Sequence, residues 1–276
     1  MYRTILVHAD NVRDSTPRIA LAADLARRFN ATLIGVTAGL PRLPIEIYDA
    51  GLGTVAVGPD YTEQDRKQLE AEFSKAEATF DRTTKGAGLE TSWRATFGPP
   101  SEAIVAAAIA ADLVVVGPGD RSLLGDLSVA SAADVVLRSG RPVLVVPDNV
   151  QQAAAKTVVV AWKNTTEAQR AIADALPFMK DAESVVLAAI SEGGERPPNL
   201  PDAVAFLLRH GIAAKSELID PKGAAIGDVL LDFARRAQAD LVVAGAYGHS
   251  RFREWVFGGV TRALLMRSTV PVLFSH

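Results

Sequence analysis

The chain has 276 residues, 49% of them apolar, with 29 basic and 32 acidic side chains. Because these charges nearly cancel, a general nucleic-acid-binding protein is disfavoured, since that class presents a basic face. There is no cysteine, which excludes thiol catalysis, disulfides and cysteine-ligated metals.

The N-terminal residues MYRTILVHAD run directly into an apolar strand pattern and lack the features of a signal peptide. No segment approaches the ~18 consecutive apolar residues of a membrane span. We therefore expect a soluble, cytoplasmic protein that needs neither membrane nor nucleic acid.

Strand and helix patterns alternate along the first half of the chain. Runs such as LVVVG and PVLVV are apolar on both faces, which is typical of parallel strands covered by helices on both sides. Strands are predicted near 3–9, 31–36, 90–96, 112–117 and 142–146, and helices near 16–29, 62–86, 100–110 and 128–139.

A Pro/Gly-rich segment at 38–60 interrupts this alternation. Connections this long often act as lids or contact surfaces. A tolerated insertion explains the segment equally well, so both interpretations stay open.

The second half of the chain repeats the first. Residues 111–118 read ADLVVVGP and residues 239–246 read ADLVVAGA, while TILV at 4–7 parallels TVVV at 157–160. Such self-similarity predicts two homologous domains, 1–148 and 155–276, joined through a polar stretch.

The same alternation continues in the second copy. Right-handed crossovers between parallel strands then predict an α/β fold of two tandem doubly wound five-stranded parallel sheets. Strands are predicted near 157–162, 184–190, 213–219, 240–245 and 270–275, and helices near 165–178, 200–210, 224–238 and 259–268.

Four glycines lie in the connection GAYGHSRFREWVFGG between an apolar strand and the last helix pattern. Ligands of open parallel sheets bind beyond the carboxyl ends of the strands, and a helix beginning there directs free N–H groups at an anion. Glycine permits a close backbone approach and a positive φ. Glycines that merely punctuate a loop are the simpler alternative. The predicted phosphate-side residues are Gly245, Gly248, His249, Ser250, Arg251, Gly258, Gly259 and Thr261, with Arg253 as a further positive charge.

The spacing of Gly245, Gly248 and Gly258 resembles the universal stress protein family, whose ATP-binding members carry G-x2-G-x9-G followed by Ser or Thr. Gly259 stands at the Ser/Thr position and departs from that pattern. The resemblance covers both halves and implies a tandem member with Rossmann-like, adenine nucleotide α-hydrolase-like domains.

The resemblance also implies a stress-response regulator that binds ATP or a related adenine nucleotide in its C-terminal domain, with Mg²⁺ left open. Hydrolysis would be weak at most, and no residue is assigned as catalytic or metal-binding. By analogy with family dimers, the final strands, 142–146 and 270–275, would pair into an intramolecular pseudo-dimer; a further homodimer is left open.

ATP-binding family members place an aspartate after the first strand, near the adenine. Asp10 holds that position in the first copy and Lys163 in the second. Trp162 offers a stacking face, although a core position is favoured for it. The predicted base-side residues are Ala161, Trp162, Lys163, Ala188 and Ala189.

The first copy aligns Asp120 with Gly248 and Ala130 with Gly258. A carboxylate ~4 Å from a phosphate costs ~4 kcal/mol at an effective dielectric constant near 20. We therefore expect no triphosphate in the first half. Two alternatives remain: a scaffold or interaction protein that binds no nucleotide, and a small-ligand site in the N-terminal cavity.

Other motifs give little. The four histidines lack metal-type spacing, and neither a G-K-[ST] loop nor a G-x-S-x-G elbow is present. Asp10 and Asp14 would form an acid pair for Mg²⁺, but the start of a helix explains Asp14 more simply.

Overall fold

The computed structural model describes residues 1–10, 13–40, 63–119, 128–191, 195, 197, 199–248 and 259–276. Most of the predicted 38–60 loop lies outside these residues, as do Asp120, His249, Ser250, Arg251, Arg253 and Gly258.

The first half contains five strands and four helices among the described residues, in the alternating order predicted. They are β1 (Thr4–His8), α1 (Thr16–Phe29), β2 (Thr32–Gly39), α2 (Glu63–Thr84), β3 (Thr91–Phe97), α3 (Pro100–Ala107), β4 (Leu113–Val116), α4 (Ala132–Arg138) and β5 (Val143–Val145).

The second half repeats this order. Its elements are β6 (Thr157–Trp162), α5 (Thr166–Met179), β7 (Ser184–Ile190), α6 (Leu200–Arg209), β8 (Ala214–Ile219), α7 (Ile226–Arg236), β9 (Leu241–Gly245), α8 (Gly259–Arg267) and β10 (Val272–Ser275).

The ten strands form one sheet in the order β3-β2-β1-β4-β5-β10-β9-β6-β7-β8. Pairs within each half are parallel, whereas β5 and β10 pair antiparallel with Leu144 opposite Leu273. Each half is therefore a doubly wound five-stranded sheet, and the predicted pairing through the final strands is confirmed.

Helices cover both faces of this sheet because its strands are apolar on both sides. One core cluster includes residues of α1, α2, α5 and α6. The other includes residues of α3, α4, α7 and α8. In each half the first two crossovers thus lie on one face and the last two on the other, and this change of face leaves a crevice at the carboxyl ends of the central strands.

The first core cluster crosses from one half to the other. The ring centroids of Tyr2 and Phe29 are 5.2 Å apart, and that of Phe178 lies 5.6 Å from Tyr2 and 5.5 Å from Phe29. The Tyr2 hydroxyl also donates to the Asp174 carbonyl oxygen. The two halves therefore bury apolar surface together as well as sharing the β5–β10 ladder.

Candidate functional site

The candidate site is the crevice at the carboxyl ends of β6 and β9. These strands are neighbours, with Ala161 opposite Ala244. The chain leaves β6 towards α5 on one face of the sheet and leaves β9 towards α8 on the other. This is a switch point, where the first turns of two helices border the same opening.

Gly245, at the end of β9, packs against the first turn of α5. A Cβ atom at this position would lie 2.5 Å from the Ala168 nitrogen and 2.7 Å from the Glu167 carbonyl carbon. Both atoms are backbone, so any side chain would push strand and helix apart. Close packing of the strand on the helix is therefore one physical reason for a glycine here. The predicted close approach of a ribose or phosphate is a second reason.

Gly248 faces side chains of the same helix. Its Cβ would lie 2.8 Å from Glu167 Oε2 and 3.2 Å from Thr165 Oγ1. The Thr165 hydroxyl accepts a hydrogen bond from the Ala168 N–H at 3.3 Å and so caps α5. The loop after β9 thus runs directly along the start of α5.

Among the described residues of this loop, Tyr247 is left-handed, with φ of 57°, whereas neither Gly245 nor Gly248 has a positive φ. Gly119, the corresponding residue of the first half, has φ of 83°. A Cβ there would lie 2.6 Å from the Ala130 carbonyl oxygen. Both copies thus have a positive φ at this position, although tyrosine adopts it with strain.

Tyr247 is also electrostatically unusual. Its hydroxyl is buried and has no hydrogen-bond partner among the described residues. Burial, with a smaller contribution from Asp134, raises the pKa of Tyr247 to about 12. Asp134 belongs to α4, so a carboxylate of the first half acts electrostatically on a tyrosine of the second half.

Helix α8 begins at Gly259, which forms the other side of the crevice. Among the described residues, nothing lies within 4 Å of the position that a Cβ on Gly259 would occupy, so these residues leave room for a side chain there. Thr261 is 5% exposed, and its side chain packs inside the protein. The remaining predicted phosphate-side residues lie outside the described part of the chain.

The predicted base-side residues divide by burial. Ala161 is half-buried and Lys163 is exposed. Trp162 is 7% exposed and belongs to the core cluster, as does the fully buried Ala189. The side chains of Trp162 and Ala189 therefore face the core, and their assignment to the base pocket stays a prediction. Trp162 takes the core position favoured for it.

The equivalent edge of the first half holds a buried cation that sequence reasoning missed. Arg18, 9% exposed, donates from Nε to the His8 carbonyl oxygen at 2.9 Å and from Nη2 to Ser15 Oγ at 3.0 Å. A Cβ on Gly117 would lie 2.0 Å from Arg18 Nη1. Aligning α1 with α5 pairs Arg18 with Ala168, and this difference within the repeat was the available signal.

His8 lies beside this cation. It is 3% exposed, and its Nε2 has no partner among the described residues. Burial, and secondly the charge of Arg18, lower the pKa of His8 to about 3. Burial likewise lowers the pKa of Arg18, while Asp10 and Asp148 raise it. The imidazole is thus neutral beside a desolvated guanidinium.

Asp14, one of the two acids of the predicted pair, hydrogen-bonds to the first residue of α1. Asp14 Oδ1 accepts hydrogen bonds from the Thr16 N–H at 2.9 Å and from the Thr16 hydroxyl at 2.6 Å, and these bonds lower the pKa of Asp14. No group of three or more potential metal ligands occurs in the parts of the chain that the structure describes.

A cavity of about 390 Å³ lies at the junction of the two halves, away from the first turns of α4 and α8. Pro118 and Val145 line it from the first half, and Leu264 and Arg267 from the second. It adjoins the C-terminal end of α8, whereas the crevice adjoins its first turn.

Comparisons with known families agree with the fold. The model described as the universal stress protein family matches residues 1–147 and 208–276. A model of natural killer cell receptor 2B4 matches residues 128–192, well under half of the chain, and shows no family. The search of curated proteins finds no match. No helix in the described ranges has the length and apolarity needed to cross a bilayer.

Solved structures extend the likeness over the whole chain. A universal stress protein from Archaeoglobus fulgidus DSM 4304 has a TM-score of 0.74 at 15% identity, covering 98% of this chain and 95% of that chain. A functionally unknown protein from Pseudomonas aeruginosa PAO1 has a TM-score of 0.54 at 14% identity, covering 99% of this chain and 92% of that chain. A universal stress protein in complex with cAMP has a TM-score of 0.36 at 24% identity, covering 53% of this chain and 97% of that chain. This TM-score is too low to support a conclusion about the present chain. The first two likenesses show the fold.

Proposed function

This chain belongs to the universal stress protein family, and on that basis we propose that it is a stress-response regulatory protein whose C-terminal half binds ATP or a related adenine nucleotide. A cytoplasmic location and a further homodimer remain predictions from the sequence. The proposal assigns binding rather than turnover, with at most weak hydrolysis of the nucleotide.

One observation carries the proposal: two glycines after β9 lie against the first turn of α5, and α8 begins at a third glycine on the other side of the same crevice. Gly245 and Gly248 occupy positions that a Cβ would overfill, and Gly259 opens α8 without a side chain. A helix start has free N–H groups and the positive end of the helix dipole, both of which favour an anion. The residues present therefore fit a phosphate group.

The roles follow from these positions. Gly259 would donate its backbone N–H to phosphate, while Gly245 and Gly248 allow close approach. Ala161 and Lys163 remain for the base, because they are the exposed or half-buried members of the base-side set. His249, Ser250, Arg251 and Gly258 complete the phosphate side as sequence-based assignments.

The test is thermal unfolding of the whole chain with ATP, ADP and AMP, each with and without Mg²⁺. A ligand at 100 times its dissociation constant stabilises the folded state by ~2.7 kcal/mol. Stabilisation by adenine nucleotides, with a smaller effect of uridine nucleotides, supports the proposal. Absence of any shift favours the scaffold or interaction protein.

A small-ligand site in the N-terminal half is a second candidate, and the buried His8–Arg18 pair favours it. Buried polar groups are normally satisfied, and a desolvated cation normally has a partner. Native mass spectrometry of the purified protein tests this candidate. A retained small molecule that persists in the Gly248→Asp variant supports a site in the first half, whereas its loss in that variant counts against one.

A further inference from the structure

The C-terminal crevice contains a carboxylate that the glycine pattern does not reveal. Glu167 lies in the first turn of α5, and its Oε2 is 2.8 Å from the point that a Cβ on Gly248 would occupy. Because Gly248 and Gly245 both contact this turn, the acid belongs to the wall of the crevice.

This carboxylate has no ion-pair partner within 4 Å among the described residues, and the side chain is half-buried. Its negative charge is therefore not offset by a contacting cation in the part of the chain that the structure describes. Partial burial weakens solvent screening, so the charge acts more strongly on a ligand in the crevice.

Aligning α1 with α5 pairs Pro17 with Glu167, just as the loop alignment pairs Asp120 with Gly248. Each half thus has one acid at these two aligned positions. In the first half it is Asp120 of the loop, and in the second half it is Glu167 of the helix. The expected asymmetry between the halves is consequently smaller than the loop sequences alone indicate.

We propose that Glu167 makes the C-terminal site selective for adenine nucleotides of low phosphate charge, the nucleoside monophosphate above all, over the metal-free triphosphate. This inference rests on the proposed function. Each added phosphate brings more negative charge towards the carboxylate, and Mg²⁺ bound to a triphosphate offsets that charge.

Calorimetric titration of the intact chain with AMP, ADP and ATP, in metal-free buffer and with Mg²⁺, tests the proposal. In the native protein, metal-free ATP should bind more weakly than AMP, and Mg²⁺ should reduce the difference. Glu167→Gln should tighten metal-free ATP by about tenfold and AMP by much less, because one like charge is removed from the phosphate path.

Glu102→Gln is the matched control, since Glu102 is an exposed acid in the first turn of α3, in the other half. It should leave all three affinities unchanged. Glu167→Asp withdraws the carboxylate by one methylene and should give an intermediate preference, which keeps the test valid if Glu167→Gln folds poorly.

Two results overturn the inference while leaving nucleotide binding intact: metal-free ATP binding the native protein more tightly than AMP, or Glu167→Gln changing the three affinities by the same factor. Failure of the native protein to bind any of the three under either condition overturns the proposed function, and the inference with it.

Discussion

Gly245, at the end of β9, and Gly248, in the loop that follows, both lie against the first turn of α5. Gly245 meets the helix backbone and Gly248 meets the Glu167 carboxylate, so the two positions tolerate substitution differently. Rigid backbone cannot yield, whereas the end of a flexible side chain can. Tyr247 between them carries the positive φ that glycine was expected to supply.

Gly248→Asp should abolish nucleotide binding. The new carboxylate would approach both Glu167 and the bound phosphate, and like charges ~4 Å apart at an effective dielectric constant near 20 cost ~4 kcal/mol. Calorimetry should show no measurable heat of binding. Ala213→Asp, at an exposed residue just before β8 on the opposite edge of the sheet, is the control. Retained affinity in Gly248→Asp would contradict the assigned loop.

His8 should make the protein sensitive to acid. Its folded-state pKa of about 3 lies below the unfolded value of ~6.5, so only the unfolded chain gains a proton as the pH falls through that interval. The contribution of His8 to stability is complete above pH ~6.5 and is lost progressively towards pH 3, about 2 kcal/mol being lost by pH 5.

Denaturant unfolding at pH 7 and pH 5 checks this expectation. His8→Gln should reduce the loss of unfolding free energy between the two pH values, because glutamine does not titrate. His210→Gln replaces an exposed histidine and serves as the control. Equal pH dependence in His8→Gln and the native protein would contradict a neutral buried imidazole.

At the scale of elements, the crevice is made by the first turns of α5 and α8. Thr165 caps α5 with its side chain, whereas α8 begins at Gly259, where a Cβ would meet no described atom within 4 Å. The first N–H groups of a helix have no partner within the helix, and the cap of α5 already bonds one of them. The phosphate is therefore proposed at α8, with α5 supplying the opposing wall.

Gly259→Ser should strengthen nucleotide binding by roughly three- to tenfold. The side chain has room, and a serine hydroxyl adds a donor worth about 1 kcal/mol at the position where ATP-binding relatives carry Ser or Thr. Gly259→Ala separates the hydroxyl from the general benefit of replacing glycine in a helix, about 1 kcal/mol. Equal affinities of the serine and alanine variants would show that the hydroxyl contributes nothing.

At the scale of the whole molecule, the two halves form one sheet and share both of its cores. The β5–β10 ladder joins them, and the Tyr2, Phe29 and Phe178 rings pack together across the junction. Contacts shared in this way couple the unfolding of both halves. The tandem chain is thus a covalent pseudo-dimer whose two halves pack against each other.

Phe178→Ala should destabilise both halves together, by about 3–5 kcal/mol, because a fully buried ring is removed. Unfolding should stay a single transition, and amide hydrogen exchange should accelerate in β1 as well as in β6. Phe97→Ala removes a ring that is 45% exposed and should cost much less. Two resolved transitions, with only the second half affected, would contradict the coupling.

The sequence by itself determined the order of strands and helices, the tandem repeat and the glycine loop. Those features are local periodicities, or self-similarity along the chain, and they are readable without contacts. The apolar strands 112–117 and 240–245 were predicted because parallel strands are covered on both faces. Trp162 was favoured as a core residue, and its burial confirms that position.

Only the tertiary structure decided which side chains meet at the carboxyl edge. Glu167 beside Gly248, Arg18 beneath Gly117 and Ala189 within the core all depend on how closely a helix packs on a neighbouring strand. Hydrophobic periodicity specifies the buried face of an element, but not the distance or neighbour that packing assigns to each residue on it.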